Sequence, residues 1–474
     1  MSLDLRKLVQ ATNPANTLFV DNYEQDQKYY IDFSSVRGVQ IIEDLTDNIA
    51  VWSPDEATCQ LFTGHIGCGK STELLRLKAE LEQRNFHVIY FESDNYLELG
   101  DVDVSDVLLV IARQISESLD RLKLEQPKNT KDILKRVGKL LQTEIELSAE
   151  AKVPGMGKVA ASTEGELSVE VGIPGIGEIT VNNEEGFSLV APLIGKISAK
   201  AKASPDLRHK LRGYLEPRTS GIIEAINAEL LAPAREKLKQ HGKKGLVVIV
   251  DNLDRVDNSP KPWGRSQQEY LFVDRGEQLR GLNCHLVYTM PLALRFSNDF
   301  AYLIQRFKVS PHVLPMVPVQ RLDGDEDLEG MRLLRQMVLA RAFPTFTEEQ
   351  RLEKITEIFD TPETLDRLCL VSGGHMRNLL RLLNNSLKKE KKLPISRNSL
   401  ERVIRSHRND HILAIENDEW ELLRQVVQEK KVTGDDGYQK LIRSMFVYEY
   451  HDSQDYWFNI NPILADAKEL SCDK

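Results

Sequence analysis

A chain of 474 residues, 41% hydrophobic and 28% charged, is long enough for about three domains at the usual ~150 residues each. Its formal net charge of −10 gives no global pull toward nucleic acid or anionic lipid, so either contact would need a local basic patch. The five cysteines are scattered with no C-x-x-C pair, which disfavours a zinc site or a disulfide framework, and no window approaches ~18 uninterrupted apolar residues; a reducing cytoplasm is the simplest expected compartment.

The N-terminal segment, residues 1 to 56, carries Tyr29-Tyr30-Ile31-Asp32-Phe33 and then an amphipathic helix around Val39 to Leu45. Ala57 to Thr63 reads as a buried strand. Directly after it, Gly64-His65-Ile66-Gly67-Cys68-Gly69-Lys70-Ser71, with Thr72 behind, fills every fixed position of G-x-x-x-x-G-K-[ST]. A loop of this kind wraps a polyphosphate with its backbone N–H groups turned inward; side chains would obstruct that, hence the glycines. Lys70 is expected to reach the β- and γ-phosphates and Ser71 to offer its hydroxyl to Mg²⁺, while the helix opening at Lys70 aims its positive end at the anion. The aromatic residues of the N-terminal segment serve either to cover an adenine ring or as ordinary core. A second strand, His87 to Phe91, and an amphipathic helix from about Val104 to Lys123 follow. Strand alternating with helix predicts an α/β fold with a parallel sheet.

Between residues 143 and 204 helical periodicity fades and a repeat emerges: Glu146 to Gly157 recurs as Glu166 to Gly177, with a looser third copy at Phe187 to Gly195. Each copy reads as strand plus turn, predicting a small β-meander or ribbon arm inserted in the core; it is either a decoration or a contact surface for a partner, a membrane or a neighbouring subunit. Gly245 to Val250 then gives the continuous apolar run of a strand covered on both faces, ending in Asp251-Asn252-Leu253-Asp254-Arg255. Asp251 stands where a P-loop fold needs an acid to hold Mg²⁺ opposite the Ser71 hydroxyl. Another apolar strand runs from Cys284 to Thr289, followed by a helix through Phe307 and a short strand around Val313 to Val317.

From Asp325 to about Arg408 the pattern is helical throughout, and Gly373-Gly374-His375-Met376-Arg377 precedes a basic run at Lys388, Lys389, Lys391 and Lys392. The last stretch reads as two helices and a hairpin, Met445 to Tyr450 with Tyr456 to Ile460, which has the form of a winged helix. Its second helix carries only Lys440 and Arg443 against Asp435 and Asp436, poor chemistry for neutralising phosphates. The domain expectation is therefore a P-loop core over 1–320, a helical lid over 321–410 and a winged-helix-like domain over 411–474.

With those motifs in order, the chain resembles the AAA+-related P-loop ATPases, in the branch of STAND signalling and archaeal origin-recognition-type ATPases. The resemblance implies roles by position. Thr289 falls at the sensor-1 place, Arg377 looks like the sensor-2 arginine through which a lid feels the nucleotide, and Arg306 lies where an arginine finger would act on a neighbour. One departure stands out: the family usually follows the metal-holding Asp with a Glu that activates water, and here that position is Asn252, with Asp254 the next acid. Asp-Asn-Leu-Asp-Arg is closer to the motif of KAP-type ATPases, which also carry large insertions between the two motifs. Asn cannot accept a proton, so either Asp254 serves as base or hydrolysis is slow. The expected function is an ATP- and Mg²⁺-dependent molecular switch, assembling with itself or a protein partner; the alternatives are a DNA-engaged ATPase and a non-hydrolysing nucleotide-bound scaffold.

Overall fold

Five strands with apolar side chains on both faces form the centre: β1 (Cys59–Gly64), β2 (His87–Glu92), β5 (Leu246–Asp251), β6 (His285–Thr289) and β7 (His312–Leu314), all parallel, in the order β2-β5-β6-β1-β7. The computed structural model describes residues 3–18, 26–38, 40–122, 169–173, 177–181 and 205–470. Alternate residues of each strand enter different cores. Leu61, Val248, Val250, Leu286 and Tyr288 pack on one face with the helix Val104–Arg121. Phe62, Val247, Ile249 and Val287 pack on the other with Leu74, Leu77 and Leu81 of the helix Lys70–Gln83 and with Ile41, Ile42 and Leu45 of the helix Ile41–Asp47. A parallel sheet needs this double cover because its crossover helices lie on both faces. The predicted α/β core with a parallel sheet is thereby observed.

Within the insertion, β3 (Val169–Ile173) and β4 (Gly177–Val181) pair antiparallel, Val169 opposite Val181 and Ile173 opposite Gly177. β3 falls within the second copy of the repeat and β4 begins at that copy's last residue; the first and third copies lie outside the described residues.

After the sheet come helices Leu328–Ala342, Pro362–Ser372, Met376–Glu390 and Arg397–Ile412, then Asn417–Glu429, Asp436–Arg443 and an antiparallel hairpin, β8 (Val447–His451) with β9 (Tyr456–Ile460). Buried side chains on both sides of residue 410 join one hydrophobic cluster, in which Leu379, Leu383 and Leu400 meet Leu423, Leu441 and Phe446, and Leu8, Phe33 and Val36 of the N-terminal segment enter the same cluster. The hairpin also reaches the sheet. The Met316 N–H donates to the Glu449 carbonyl at 2.9 Å, and Tyr448, Tyr450 and Trp457 pack into the core on the P-loop face. The turn Gly373-Gly374 makes this closeness possible. Both residues have positive φ, 59° and 70°, and a Cβ on Gly374 would lie 1.8 Å from the Val317 carbonyl oxygen, so only glycine lets the chain reverse there.

Among the described residues no helix is long and apolar enough to cross a membrane. Cys59, Cys68, Cys284 and Cys369 are buried free thiols.

Candidate nucleotide site

β1 ends in the glycine-rich loop, and Gly67 and Gly69 hold φ of 89° and 109°, a left-handed conformation that side-chain-bearing residues rarely adopt. The loop passes into the helix beginning at Lys70, whose side chain is buried. An ammonium has three donors, and all three are engaged: Nζ lies 2.8 Å from the Gly64 carbonyl, 3.0 Å from that of His65 and 3.0 Å from Asp254 Oδ2. Burial pulls the ammonium pKa down, but Asp254, joined by Cys68 and Asp251, raises it overall. The other Asp254 oxygen, Oδ1, is buried without a partner.

Asp251, at the end of β5, accepts from the Tyr90 hydroxyl at 2.7 Å and from the Asn252 N–H at 2.7 Å. Burial, then the nearby Asp254 carboxylate, raise its pKa, opposed in part by hydrogen bonds that include one from the Ser71 hydroxyl. Ser71 and Asp251 thus already stand together. Asn252 has φ 61°, a left-handed position that Asn tolerates better than most residues. The Thr289 hydroxyl, at the end of β6, accepts from the Leu253 N–H at 2.9 Å and from the Asp254 N–H at 3.4 Å. Thr289 therefore fixes the turn that carries Asn252 and Asp254, and it does not line the cavity in front of the loop. Asn252 Nδ2 donates to Asp94 at 3.0 Å, and Arg255 pairs with the same carboxylate at 2.8 Å.

Loop positions that the motif leaves open are each spent on a different neighbour. The Ile66 carbonyl accepts from His375 Nε2 at 2.9 Å, and the Gly67 carbonyl from the Arg377 N–H at 3.2 Å, so the helix Met376–Glu390 stands end-on against the loop. A Cβ on Gly67 would meet His375 Cε1 at 2.7 Å. His65 Nε2 accepts from the Glu449 N–H of β8 at 3.1 Å, and Tyr448 packs against both His65 and His375 with ring centroids 5.6 and 5.7 Å away. The Cys68 carbonyl accepts from Arg37 Nη2 at 2.8 Å. Burial holds both imidazoles neutral, with pKa pushed down to about 4 for His65 and about 3 for His375.

A solvent-open cavity of about 120 Å³ lies in front of the loop, lined on its other sides by residues 14–18, by Tyr29, Tyr30, Ile31 and Phe33, and by Met337, Arg341, Met376, Arg377 and Leu380. The aromatic N-terminal segment thus both lines this cavity, through Tyr29 and Tyr30, and supplies core, through Phe33. Five cationic side chains, Arg37, Lys70, Arg255, Arg341 and Arg377, face it against three carboxylates, Glu73, Asp251 and Asp254, an excess suited to a polyanion. Arg377 forms no ion pair among the described residues, and its pKa is lowered by burial and then by Arg255 and Arg381. Arg306 sits away from this cavity on the outer surface, paired with Glu277 at 3.0 Å.

Residues 39–260 match the KAP family P-loop domain. The KAP-type match takes in both motifs and the 143–204 insertion, and it places nucleotide binding and hydrolysis at the level of the family. No curated protein matches the chain. Among solved structures, Cdc6p from Pyrobaculum aerophilum is similar at 10% identity over 94% of this chain and 97% of its own, with a TM-score of 0.36. The ORC2 protein of Aeropyrum pernix, in ADPNP and ADP complexes, is 12% identical over 91% and 93% at 0.37. The Walker-type ATPase of Pyrococcus abyssi is 11% identical over 94% and 100% at 0.38. None is close enough to carry a conclusion about this chain.

The residues of this site fit Mg²⁺ and a nucleoside triphosphate. Asp251 and Ser71 would hold the ion, the buried orphan Asp254 Oδ1 marks an acceptor still to be satisfied, and a Cβ on Gly69 would have no neighbour nearer than 3.9 Å on the cavity side. A cluster of three or more His, Cys, Asp or Glu side chains able to hold a metal is absent among the described residues; Mg²⁺ bound with a nucleotide uses one or two carboxylates plus phosphate oxygens. Sequence reasoning missed Tyr90, Asp94, Arg37, His375 and Glu449.

Proposed function

We propose that this protein is an ATP-binding, slowly hydrolysing switch in which the phosphate-binding loop itself holds the lid helix and the C-terminal hairpin. The observation that carries this reading is the set of contacts from His65, Ile66 and Gly67 to Glu449, His375 and Arg377. A loop that rearranges around a polyphosphate cannot keep all its carbonyls and the His65 ring fixed, so the two elements respond together.

The residues also suggest how chemistry would be gated. Lys70 has no spare donor, so arriving β- and γ-phosphates must displace at least one of its three acceptors, and the carboxylate of Asp254 is the one able to leave. Displaced from Lys70, Asp254 has one oxygen free to accept a proton from water, while Asn252, held by Asp94, supplies no base. Arg377, unpaired, supplies positive charge to the γ-phosphate end. Mg²⁺, when bound, neutralises charge developing on the phosphates. Lys440, on the helix before the hairpin, is already paired with Glu416 and Glu419, and Arg408 with Asp466, which weighs against a DNA-gripping role for these groups.

The test is hydrogen exchange of residues 376–390 and 447–460 with and without Mg-ATP, in the native protein and in Lys70→Ala. Protection should change in both segments for the native protein and in neither for the variant; equal protection with and without ATP in the native protein would remove the switch.

A further inference from the structure

Arg341 lies near the end of the helix Leu328–Ala342, is 8% exposed and lines the cavity, where its ring neighbour is Tyr29 of the N-terminal segment. Its Nε is buried with no hydrogen-bond partner, and no carboxylate lies within ion-pair distance of it among the described residues. Its guanidinium carbon sits 5.2 Å from the centre of the Tyr29 ring. That contact satisfies one face of the planar group, but the five donors of a guanidinium lie in its plane, and the one on Nε remains to be met. Desolvation pulls its pKa down to about 10, partly offset by Tyr29 and Asp26. A buried guanidinium with an unmet donor is costly to keep and is usually explained by something it binds.

Arg37, the other buried arginine of the cavity, differs. It also has an unpaired Nε, yet its Nη2 is committed to the Cys68 carbonyl and its charge is opposed by Glu73. With the phosphates of a ligand at the loop, the part that reaches Arg341 is the nucleoside. A neutral base offers in-plane ring nitrogens or a carbonyl oxygen, matching in-plane donors beside an aromatic ring.

We infer that Arg341 recognises the base of the bound nucleotide, donating in-plane from Nε and an Nη to acceptors on its edge while Tyr29 backs the guanidinium. This rests on the nucleotide-binding reading above and adds to it the residue that reads the nucleoside.

The experiment compares binding of ATP, ribose 5′-triphosphate and inorganic tripolyphosphate, each with Mg²⁺, by calorimetry to the full chain and to Arg341→Met and Arg341→Lys. Arg341→Met should weaken ATP by about 10–100-fold, as for the loss of a charged hydrogen bond, and leave the two base-free probes within about twofold. Arg341→Lys, which keeps the charge and most of the packing without the planar fork, should resemble Arg341→Met for ATP. Equal weakening of tripolyphosphate would make Arg341 a phosphate ligand and overturn the assignment. Equal weakening of ribose 5′-triphosphate would move the contact to the sugar and overturn it as well, and full ATP affinity in folded Arg341→Lys would leave only a packing role. Failure of the native protein to bind any probe would instead defeat the nucleotide reading itself.

Discussion

The two ends of the cavity treat polar groups in opposite ways. At the loop end every donor of Lys70 is already taken, Asp251 holds hydrogen bonds from Tyr90 and Asn252, and Asn252 and Arg255 share Asp94. At the far end Arg341 is buried with an unmet donor. A ligand must exchange the partners of Lys70 at the first end, where Asp254 Oδ1 and Arg37 Nε are also still open, and only add partners at the second. The difference teaches where conformational response originates: exchange of partners moves the groups that were bonded, whereas adding a partner to a rigid, ring-backed guanidinium moves little.

The sharpest break of this comparison removes the exchanging cation. Lys70→Ala should abolish ATP binding measured by calorimetry and also lower stability by about 3–5 kcal/mol, because Asp254 is left buried without its counter-charge. Adding Asp254→Asn to Lys70→Ala should restore most of the stability in denaturant unfolding and none of the binding. Recovery of both, or of neither, would show that the pair is not what couples loop order to charge.

Asp254→Asn alone separates the two roles given to that carboxylate. Steady-state turnover should fall by about 10²–10⁴-fold, the usual range for a lost general base, while ATP affinity stays equal or tightens because Lys70 no longer has a charged competitor. Unchanged turnover would dismiss Asp254 as base.

Asn252→Glu sharpens the same end at smaller scale. It would place a second carboxylate against Asp94 and a longer side chain on a left-handed backbone. A cost of about 1–3 kcal/mol is expected, read as a lower thermal midpoint, with no gain in hydrolysis. A faster enzyme would mean that Asn252 is free to face water.

The last test is in pH. His65 and His375 are neutral in the fold, with pKa near 4 and 3, so the unfolded chain binds protons that the folded chain refuses. Their contribution to stability is complete above about pH 6.5 and falls as pH drops toward 4, with a slope of up to about 1.4 kcal/mol per pH unit for each group. Chemical unfolding at several pH values should give a shallower acid slope in His375→Gln; an unaltered slope would mean that His375 does not carry this linkage.

Much of the loop end was legible because its chemistry is local. GHIGCGKS names the glycines, lysine and serine by position, and the β5 run ending in Asp251 needs only the length and apolarity of one strand. Asp94 and Tyr90 were not legible, since nothing in the second strand announces that it pairs with β5; the register placing Glu92 opposite Asp251 belongs to the sheet order. The expected role of Thr289 was read from its place at a strand end, whereas its hydroxyl is drawn to two backbone N–H groups of the adjacent turn. Arg341 was invisible in a helix where any arginine looks like a solvated residue.

By itself the sequence determined the parallel α/β core, the glycine-rich loop and the carboxylate at the end of β5, because alternation of apolar runs and a glycine-spaced motif act over a few residues. Only the tertiary structure decided that the loop's open positions hold the helix Met376–Glu390 and the C-terminal hairpin, and that Lys70 is matched by Asp254 while Arg341 waits unmatched. Those are pairings between segments up to 384 positions apart, and whether a buried charge finds its partner depends on which surfaces fold together, not on what stands beside it in the chain.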